Sequence, residues 1–349
     1  MSIVQHLVID QYGAFLGKHS ERLIVTKGDE KIAQAPLIHL ESVVIANRGV
    51  SLSAEAVREC TERGIPIFFI SGTGTAYASL YSAGLTGTVA TRRAQLEAFN
   101  DKRGLRLVLA FGMGKLQNQS NLLKYMGKYR KEINPPLYEE LRLCADEVVD
   151  MLIEMERIRD YPEYLEDRVT VNDLRMELMG LEGRAAQRYW SAVKLVLPEK
   201  YAFTGRTGRG ATDPVNSALN YAYGILYGQI ERCLVLAGLD PFGGFLHVDR
   251  PGKPSLTLDF IEEFRPVVVD RTIFGLANKN VPFEQDENKM LTKETRHLLA
   301  EKINERLDSA ASFEGKHHPL RAIIQMQARH LATFLRGERL VYESFQMTW

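Results

Sequence analysis

The sequence contains few cysteines and no excess charge of either sign. Its 349 residues include three cysteines, Cys60, Cys144 and Cys233, which lie far apart with no CxxC spacing. This distribution favours buried thiols in a reducing compartment over a disulfide framework. Lys plus Arg and Asp plus Glu both number 44. Any surface that binds nucleic acid must therefore come from local basic patches and not from overall charge.

Long hydrophobic segments are absent as well. No apolar run approaches the roughly 18 residues that a membrane-spanning helix needs. The N-terminal residues lack a basic segment followed by an apolar stretch and a cleavage site, which is the pattern of a secretory signal. We therefore expect a cytoplasmic protein. Its length suggests two domains at about 150 residues each.

The character of the sequence changes near residue 85. Before it, short apolar or β-branched runs alternate with turn residues, and one helix is expected between a Ser53 N-cap and a Gly64 stop. After it, helical spacing dominates. We predict an α+β protein with a β-rich, sandwich-like domain at 1–85 and a larger all-α domain at 86–349. The predicted strands are Leu7–Ile9, Leu23–Thr26, Val43–Ala46, Ile65–Ile70 and Ala76–Tyr81, and the predicted helices are 54–63, 89–113, 115–131, 136–158, 171–194, 214–237, 288–310 and 319–336.

Residues 255–266 combine an alternating apolar pattern with acidic side chains. Leu256, Leu258 and Phe260 alternate with polar residues, which predicts a short strand that leads into a helix. Pro266 lacks a backbone donor and restricts the residue before it, so we expect this helix to end within one or two turns.

Within this stretch, Asp259 and Glu262 are three residues apart and share a helix face, with Glu263 beside them and His247 upstream. An imidazole brought back against two carboxylates suits a divalent cation. An acidic pair at this spacing is also the capping-box pattern, in which the two side chains satisfy backbone amides. The spacing alone leaves both interpretations open.

A third candidate ligand lies on a predicted helix. Leu178, Ala185 and Tyr189 mark its apolar face, and Glu182 lies at the edge of that face. A carboxylate there is costly unless it is neutralised or coordinated. Gly183 follows it, at a cost of about 1 kcal/mol relative to alanine inside a helix. That cost is understandable if another molecule approaches the backbone closely.

Several basic residues are candidates for phosphate contacts. Arg184 and Arg188 lie one turn apart beyond Glu182, and a glycine-rich stretch carries Arg206 and Arg209. The alternative for Arg184 and Arg188 is an ordinary pair of surface residues, and the alternative for the glycine-rich stretch is a mobile loop without a ligand. Earlier in the chain, at residues 115–131, tyrosines interleave with basic side chains, which suits phosphates and bases but also fits a solvated helix face. The candidates in that segment are Lys115, Lys124, Lys128 and Arg130.

Two asparagines follow a predicted helix start. Asp213 is a good N-cap and Pro214 fits the first helical position. Asn216 and Asn220 are four residues apart and face the same side. They either brace a polar site or bond to each other.

Several segments in the same order resemble the CRISPR-associated integrase, the metal-dependent nuclease-integrase of CRISPR adaptation. The resemblance covers nearly the whole chain, and four segments in the correct order are more specific than any one of them. The matching segments are 181–186, 213–224, 244–247 and 255–266, supported upstream by 36–66 and 115–119.

The resemblance implies a β-sandwich followed by a helical catalytic domain, in agreement with the pattern of the two halves. It places the family's metal-binding glutamate, histidine and third acid on Glu182, His247 and Glu262, where some members have aspartate at the third position. Asp259 matches a nearby acidic position with an auxiliary role. The ion would be Mg²⁺ or Mn²⁺.

The implied reaction is attack of the 3′-hydroxyl of a short DNA fragment on a phosphodiester of a CRISPR array, which inserts a spacer for antiviral defence. The implied partners are DNA, a second copy of the chain, and a small ferredoxin-like adaptation protein. Two alternatives remain: a hydrolytic metal-dependent nuclease of DNA repair, and a non-catalytic helical scaffold that binds DNA.

Overall fold

A computed structural model describes residues 6–40, 42–70, 76–80, 88–208, 210–247 and 250–349. The chain divides into two compact units, Met1–Thr86 and Gly87–Trp349. The first unit contains mixed β-sheets and the second is mainly helical. The predicted α+β class is confirmed.

The first unit is built from two sheets and one helix. Its elements are β1 (His6–Ile9), β2 (Ala14–His19), β3 (Arg22–Lys27), β4 (Glu30–Pro36), β5 (Ser42–Ile45), β6 (Ser51–Leu52), α1 (Ala54–Glu62), β7 (Ile67–Ile70) and β8 (Ala76–Leu80). One four-stranded sheet has the order β1-β5-β7-β8, and the other has the order β4-β3-β2-β6. Buried side chains from both sheets, such as Ile9, Leu16 and Ile45, share one core. This shared core makes the unit sandwich-like.

Local sequence signals explain much of this unit. The Ser53 hydroxyl accepts a hydrogen bond from the Ala56 amide at 3.1 Å, and Gly64 has a φ of +69° just after α1. All five predicted strands are present with small shifts at their ends. Strands β2, β4 and β6 were not predicted. β4 is an edge strand with glutamate, lysine and glutamine side chains, so it lacks the hydrophobic alternation that marks a half-buried strand.

The second unit is helical apart from one hairpin. Its helices are α2 (Thr88–Ala98), α3 (Lys102–Lys128), α4 (Pro135–Arg157), α5 (Pro162–Leu165), α6 (Val171–Val196), α7 (Pro214–Leu236), α8 (Ser255–Phe260), α9 (Arg271–Asn278), α10 (Lys293–Asp308) and α11 (Leu320–Leu335). Strands β9 (Ala310–Phe313) and β10 (Lys316–Pro319) form the antiparallel hairpin. Among the described residues, no helix is long and apolar enough to cross a membrane.

Helix α3 lies at the centre of this unit and packs against α4 and α6. The predicted break at residue 114 is wrong. The chain breaks at 99–101 instead, where the Asp101 carboxylate caps α3 by accepting from the Arg103 amide at 2.7 Å. Gly114 does not end the helix; it lies where α3 closely approaches another segment of the chain. A Cβ at this position would lie 2.5 Å from the Ser344 side chain.

The predicted strand at 256–260 is also wrong, since α8 occupies these residues. Ser255, Thr257 and Asp259 are as buried as their apolar neighbours, so the alternation does not separate an inner face from an outer one. Pro266 does not end the helical segment either. A 3-10 turn at Ile261–Glu263 and a π-helical turn at Arg265–Asp270 lead directly into α9.

Candidate active site

Glu182 lies on α6 where the sequence pattern places it. Leu178, Ala185 and Tyr189 are fully buried, and the Glu182 side chain at the edge of their face retains 17% exposure. The apolar stripe therefore fixes the rotation of α6 and directs this carboxylate toward α3. There its Oε2 lies 3.4 Å from the ammonium group of Lys115.

His247 is positioned through Asp259. The two carboxylate oxygens of Asp259 accept from the backbone amides of Phe245 (2.6 Å), Leu246 (3.1 Å) and His247 (3.1 Å). The Nδ1 atom of His247 lies 2.6 Å from Asp259 Oδ1. Since this carboxylate accepts from every other partner, we assign the ring proton to Nδ1. That tautomer leaves the Nε2 lone pair of His247 available to a ligand.

Gly244 allows the loop before His247 to approach α8. A Cβ at Gly244 would lie 2.5 Å from the carbonyl carbon of Ser255 and 2.7 Å from the Leu256 nitrogen. The Gly244 amide donates to the Ser255 hydroxyl at 3.0 Å. The capping-box interpretation of Asp259 and Glu262 is wrong, because α8 has its N-cap at Pro254 and Asp259 binds the 245–247 loop.

Glu262 is carried by the 3-10 turn and is almost completely buried. Its Oε2 lies 2.9 Å from the Lys115 ammonium, and its Oε1 lies 3.0 Å from the Arg265 guanidinium. Burial alone would raise the pKa of Glu262, but the positive charges of Arg265 and Lys115 outweigh it and lower the pKa to about 2. Glu262 is therefore an anion at any physiological pH.

Lys115 brings the two glutamates together. Its ammonium lies within 3.4 Å of Glu182 Oε2 and 2.9 Å of Glu262 Oε2. Burial tends to lower the pKa of Lys115, but the negative charges of Glu182 and Glu262 dominate and raise it. Carboxylates on two separate elements thus meet at a single buried cation.

Part of this donor set remains available. Glu262 Oε2 is buried and makes no hydrogen bond within the described part of the chain, so its contact with Lys115 is an ion pair without hydrogen-bond geometry. Two carboxylates and an imidazole match the preferences of Mg²⁺ or Mn²⁺. Across the described ranges, however, no three His, Cys, Asp or Glu side chains are close enough to hold a metal ion. The residue types fit a divalent cation, and in this geometry Lys115 supplies the positive charge.

The sequence matches the family described as CRISPR associated protein Cas1 over residues 7–305. The chain belongs to the Cas1 family. Among its relatives, "CRISPR-associated endonuclease Cas1 1" of Archaeoglobus fulgidus is 35% identical over 98% of this chain and 99% of the relative. A protein of the same name from Francisella tularensis subsp. novicida is 33% identical over 99% of this chain and all of the relative.

Solved structures share the fold of this Cas1-family chain. A casposase bound to integration product has a TM-score of 0.79 at 22% identity, and the match covers 97% of this chain and 93% of that one. A chain of a Cas6-RT-Cas1–Cas2 complex has a TM-score of 0.73 at 21% identity, with coverage of 99% and 37% respectively.

In this Cas1-family chain the other predicted DNA contacts have varied environments. Arg184 pairs with Glu154 at 2.7 Å and Arg188 pairs with Glu147 at 2.9 Å, so both carry a counter-charge on the outer side of α6 and α4. Arg130 turns back to the Met126 carbonyl at 2.6 Å. Arg209 lies outside the described residues.

Asn216 and Asn220 support the glycine-rich loop. Their side-chain oxygens accept from the Arg206 guanidinium at 3.1 and 2.6 Å, and their amides donate to the carbonyls of Gly205 and Gly208 at 2.8 Å. The same helix start has the Asp213 cap that the sequence predicts. The asparagines therefore bind the loop and not each other.

Sequence reasoning missed a second buried polar group, Asp270. The hydroxyls of Tyr189 (2.7 Å) and Tyr223 donate to its carboxylate. Burial raises the pKa of Asp270 to about 6, against the opposing effect of these hydrogen bonds. Tyr223 also lies under the Arg265 guanidinium, 5.0 Å from its ring centroid. Arg265 itself was detectable, since it lies three residues after Glu262 on a helical segment.

Proposed function

We propose that this chain is the integrase of CRISPR adaptation, a metal-dependent DNA endonuclease and transesterase. It inserts short DNA fragments into a CRISPR array through attack of a 3′-hydroxyl on a phosphodiester. The observation that carries the proposal is the meeting of Glu182 and Glu262 at Lys115, beside a histidine that Asp259 holds in one tautomer. The family membership agrees with this chemistry.

In the proposed site Glu182, His247 and Glu262 hold a Mg²⁺ or Mn²⁺ ion. When bound, the ion polarises the phosphodiester and stabilises the charge that develops on its oxygens. Asp259 keeps the proton on His247 Nδ1 and so leaves the Nε2 lone pair available to the ion. Arg265 offsets the charge of Glu262 at Oε1, whereas Lys115 contacts Oε2.

Lys115 has a role of its own in this proposal. Two buried carboxylates without a counter-charge would be costly. The Lys115 ammonium removes that cost while no metal is present, and it places a positive charge beside the position of the reacting phosphate. This accounts for a lysine inside the site, where the sequence interpretation had placed it on a DNA-binding surface.

We infer that the partners are DNA, a second copy of the chain, and a small ferredoxin-like adaptation protein. The β-rich domain predicted at residues 1–85 is the proposed dimerisation and partner-contact region. Support comes from the shared fold of a casposase solved with its integration product and of a chain in a Cas1–Cas2 complex. We propose that four arginines contact the phosphate backbone of DNA: Arg184, Arg188, Arg206 and Arg209. Their contribution to DNA binding should weaken as the salt concentration rises.

A strand-transfer assay tests the proposal. Wild type, His247→Ala and Glu182→Gln proteins are incubated with a short duplex, a supercoiled repeat-bearing plasmid and the partner protein, in Mn²⁺ or EDTA. Of these three proteins, only wild type with Mn²⁺ should give joined product. His297→Ala serves as the matched control, because His297 is exposed on α10, and it should join DNA normally.

The other outcomes separate the alternatives. Metal-dependent cutting without joining would support the repair nuclease. Absence of any metal-dependent product, together with intact DNA binding, would support the non-catalytic scaffold. Full joining by His247→Ala protein would remove His247 from the site.

A further inference from the structure

A basic pocket of about 360 Å³ lies at the C-terminal end of α3, away from the catalytic carboxylates. The start of α4 and the last two residues of the chain complete its wall. Lys115 and Lys124 are nine residues apart on α3. Nine residues make two and a half helical turns, so these two side chains project from opposite sides of α3. The pocket is therefore separate from the candidate active site.

Positive charge dominates the pocket wall. Four cationic side chains line it: Lys124, Lys128, Lys131 and Arg142. One carboxylate, Asp146, pairs with Lys124 at 3.2 Å and lies 4.0 Å from Arg142. Lys128 and Lys131 have no ion pair with any residue that the structure describes. The side chains of the pocket thus keep an excess of positive charge for an anionic ligand.

Aromatic rings form the rest of the wall. Tyr125, Tyr138 and Trp349 line the pocket. The Trp349 ring packs against Tyr125 with 5.6 Å between centroids, and Arg271 lies over Tyr125 and donates to its hydroxyl at 2.7 Å. Trp349 Nε1 has no hydrogen-bond partner within the described ranges. Packing alone therefore holds the indole, and its environment will respond to an occupant.

We propose that this pocket binds a segment of single-stranded DNA, with phosphates on the lysines and a base against Tyr138 or Trp349. Cations together with aromatic rings are the chemistry of single-strand binding, in which stacking contributes about 1–3 kcal/mol per base. An acidic peptide would use the cations but would leave the rings without a role. The volume is at the small end of ligand pockets, which suits one or two nucleotides and excludes a duplex.

The proposal rests on the DNA substrate of the proposed function and adds a second point of attachment. Since the pocket faces away from Glu182 and Glu262, it holds a part of the strand remote from the reacting end. Its loss should weaken binding of a DNA fragment that carries a single-stranded extension and raise KM for that fragment, while kcat at saturating DNA stays unchanged.

The two tryptophans of the chain, Trp190 and Trp349, allow a direct test. In Trp190→Phe protein the remaining indole is the one in the pocket. Its fluorescence is titrated with a short oligo-dT strand and with an abasic strand of equal length. We expect saturable quenching by oligo-dT and at least fivefold weaker binding of the abasic strand, because the latter lacks bases to stack.

Charge reversal locates the site. The Lys128→Glu/Lys131→Glu double variant should bind oligo-dT at least tenfold more weakly, and its log affinity should fall less steeply with log salt, by about 1.4 for two lost contacts to a single strand. Lys194→Glu/Lys316→Glu makes the same charge change at two exposed lysines elsewhere and should bind normally. If Trp190→Phe protein does not fold, anisotropy of a labelled strand with both double variants in the otherwise natural chain replaces quenching.

Other results would overturn the proposal. Equal binding of dT and abasic strands, or quenching by inorganic phosphate alone, would show a simple anion site. Quenching by poly-glutamate but not by oligo-dT would show a protein-docking site. Normal strand transfer without any binding at this pocket would reject the pocket and leave the integrase standing. Binding of oligo-dT at this pocket without metal-dependent strand transfer would support the pocket and reject the integrase function.

Discussion

The side-chain amide of Asn118 donates hydrogen bonds to the main-chain carbonyls of Glu263 and Phe345, both at 2.8 Å. Its oxygen accepts from the Met347 amide at 2.7 Å. One buried side chain on α3 therefore joins the turn that carries Glu262 to the C-terminal segment, residues 338–349. The Glu263 carboxylate strengthens this junction, since it accepts from the Phe345 amide at 2.7 Å and from the Tyr342 hydroxyl.

This junction predicts that Asn118→Ala loosens the active-site turn. Two buried carbonyls lose a donor, and each unsatisfied group costs about 1–3 kcal/mol. Urea unfolding should show that loss, and Mn²⁺ should bind at least several-fold more weakly by electron paramagnetic resonance. Asn121→Ala is the control, because Asn121 reaches the same segment only at the Met347 carbonyl. The Asn121→Ala variant should lose less stability and keep its Mn²⁺ affinity. An equal loss of Mn²⁺ affinity in both variants would contradict a role of Asn118 in holding the turn of Glu262.

Removal of Lys115 should make stability depend on metal. Lys115→Met leaves Glu182 and Glu262 facing each other, and breaking a buried ion pair costs about 3–5 kcal/mol. A divalent cation replaces the lost charge, so Mn²⁺ should raise the Tm of this variant more than that of wild type. Lys124→Met removes an ion pair that is partly exposed and should cost less than about 1 kcal/mol. A Tm increase with Mn²⁺ no larger than that of wild type would exclude this role for Lys115.

Asp270 should make stability fall as pH rises through the acidic range. Burial raises its pKa in the folded protein to about 6 from an ordinary value of 3.8. The folded state therefore holds a proton that the unfolded state has lost, so the stabilisation present below pH 4 disappears as pH passes 6. The shift corresponds to a change on the order of 3 kcal/mol.

The pH effect is measured as the difference in unfolding free energy between wild type and Asp270→Asn, from pH 4 to 7. Asparagine has no proton to lose, so effects of all other groups cancel in the difference. The wild type should lose stability relative to the variant over this range. A difference that is flat with pH would show that Asp270 titrates normally.

Gly183 should matter for the substrate and not for the fold. A Cβ at either Gly183 or Gly180 meets no atom within 4 Å, so alanine should stabilise α6 by about 0.5–1 kcal/mol at each position. If DNA approaches the backbone beside Glu182, Gly183→Ala should weaken DNA binding several-fold while Gly180→Ala does not. Unchanged DNA affinity in both variants would contradict a close approach of DNA to the backbone at Gly183.

Local patterns predicted the parts of the site that depend on one element. The stripe of Leu178, Ala185 and Tyr189 fixes the position of Glu182 on α6, and the cap at Asp213 starts the helix that carries Asn216. These features follow from helical periodicity and from side chains that satisfy nearby amides. The remaining contacts join positions far apart in sequence.

Lys115 has no local signal that separates a buried counter-ion from a DNA contact, because its role depends on glutamates 67 and 147 residues away. From the sequence alone, Glu263 is as good a candidate acidic residue as its neighbour Glu262. It is instead buried against Tyr342 and Phe345, which no pattern within α8 or the following turn can reveal. The same limit explains the wrong strand at 256–260, since partners on several sides bury its polar residues.

The burial of Lys115 between two glutamates affects both the folding of the site and its apparent affinity for a metal ion. The Lys115 ammonium already balances the charge of Glu182 and Glu262, so the proposed metal site can fold before a divalent cation binds. If the proposed ion binds Glu182 and Glu262, it must displace Lys115, and the free energy of that ion pair is subtracted from the free energy of metal binding. In the proposed metal site, such an in-built competitor moves half-saturation to a higher metal concentration and leaves the shape of the binding curve unchanged.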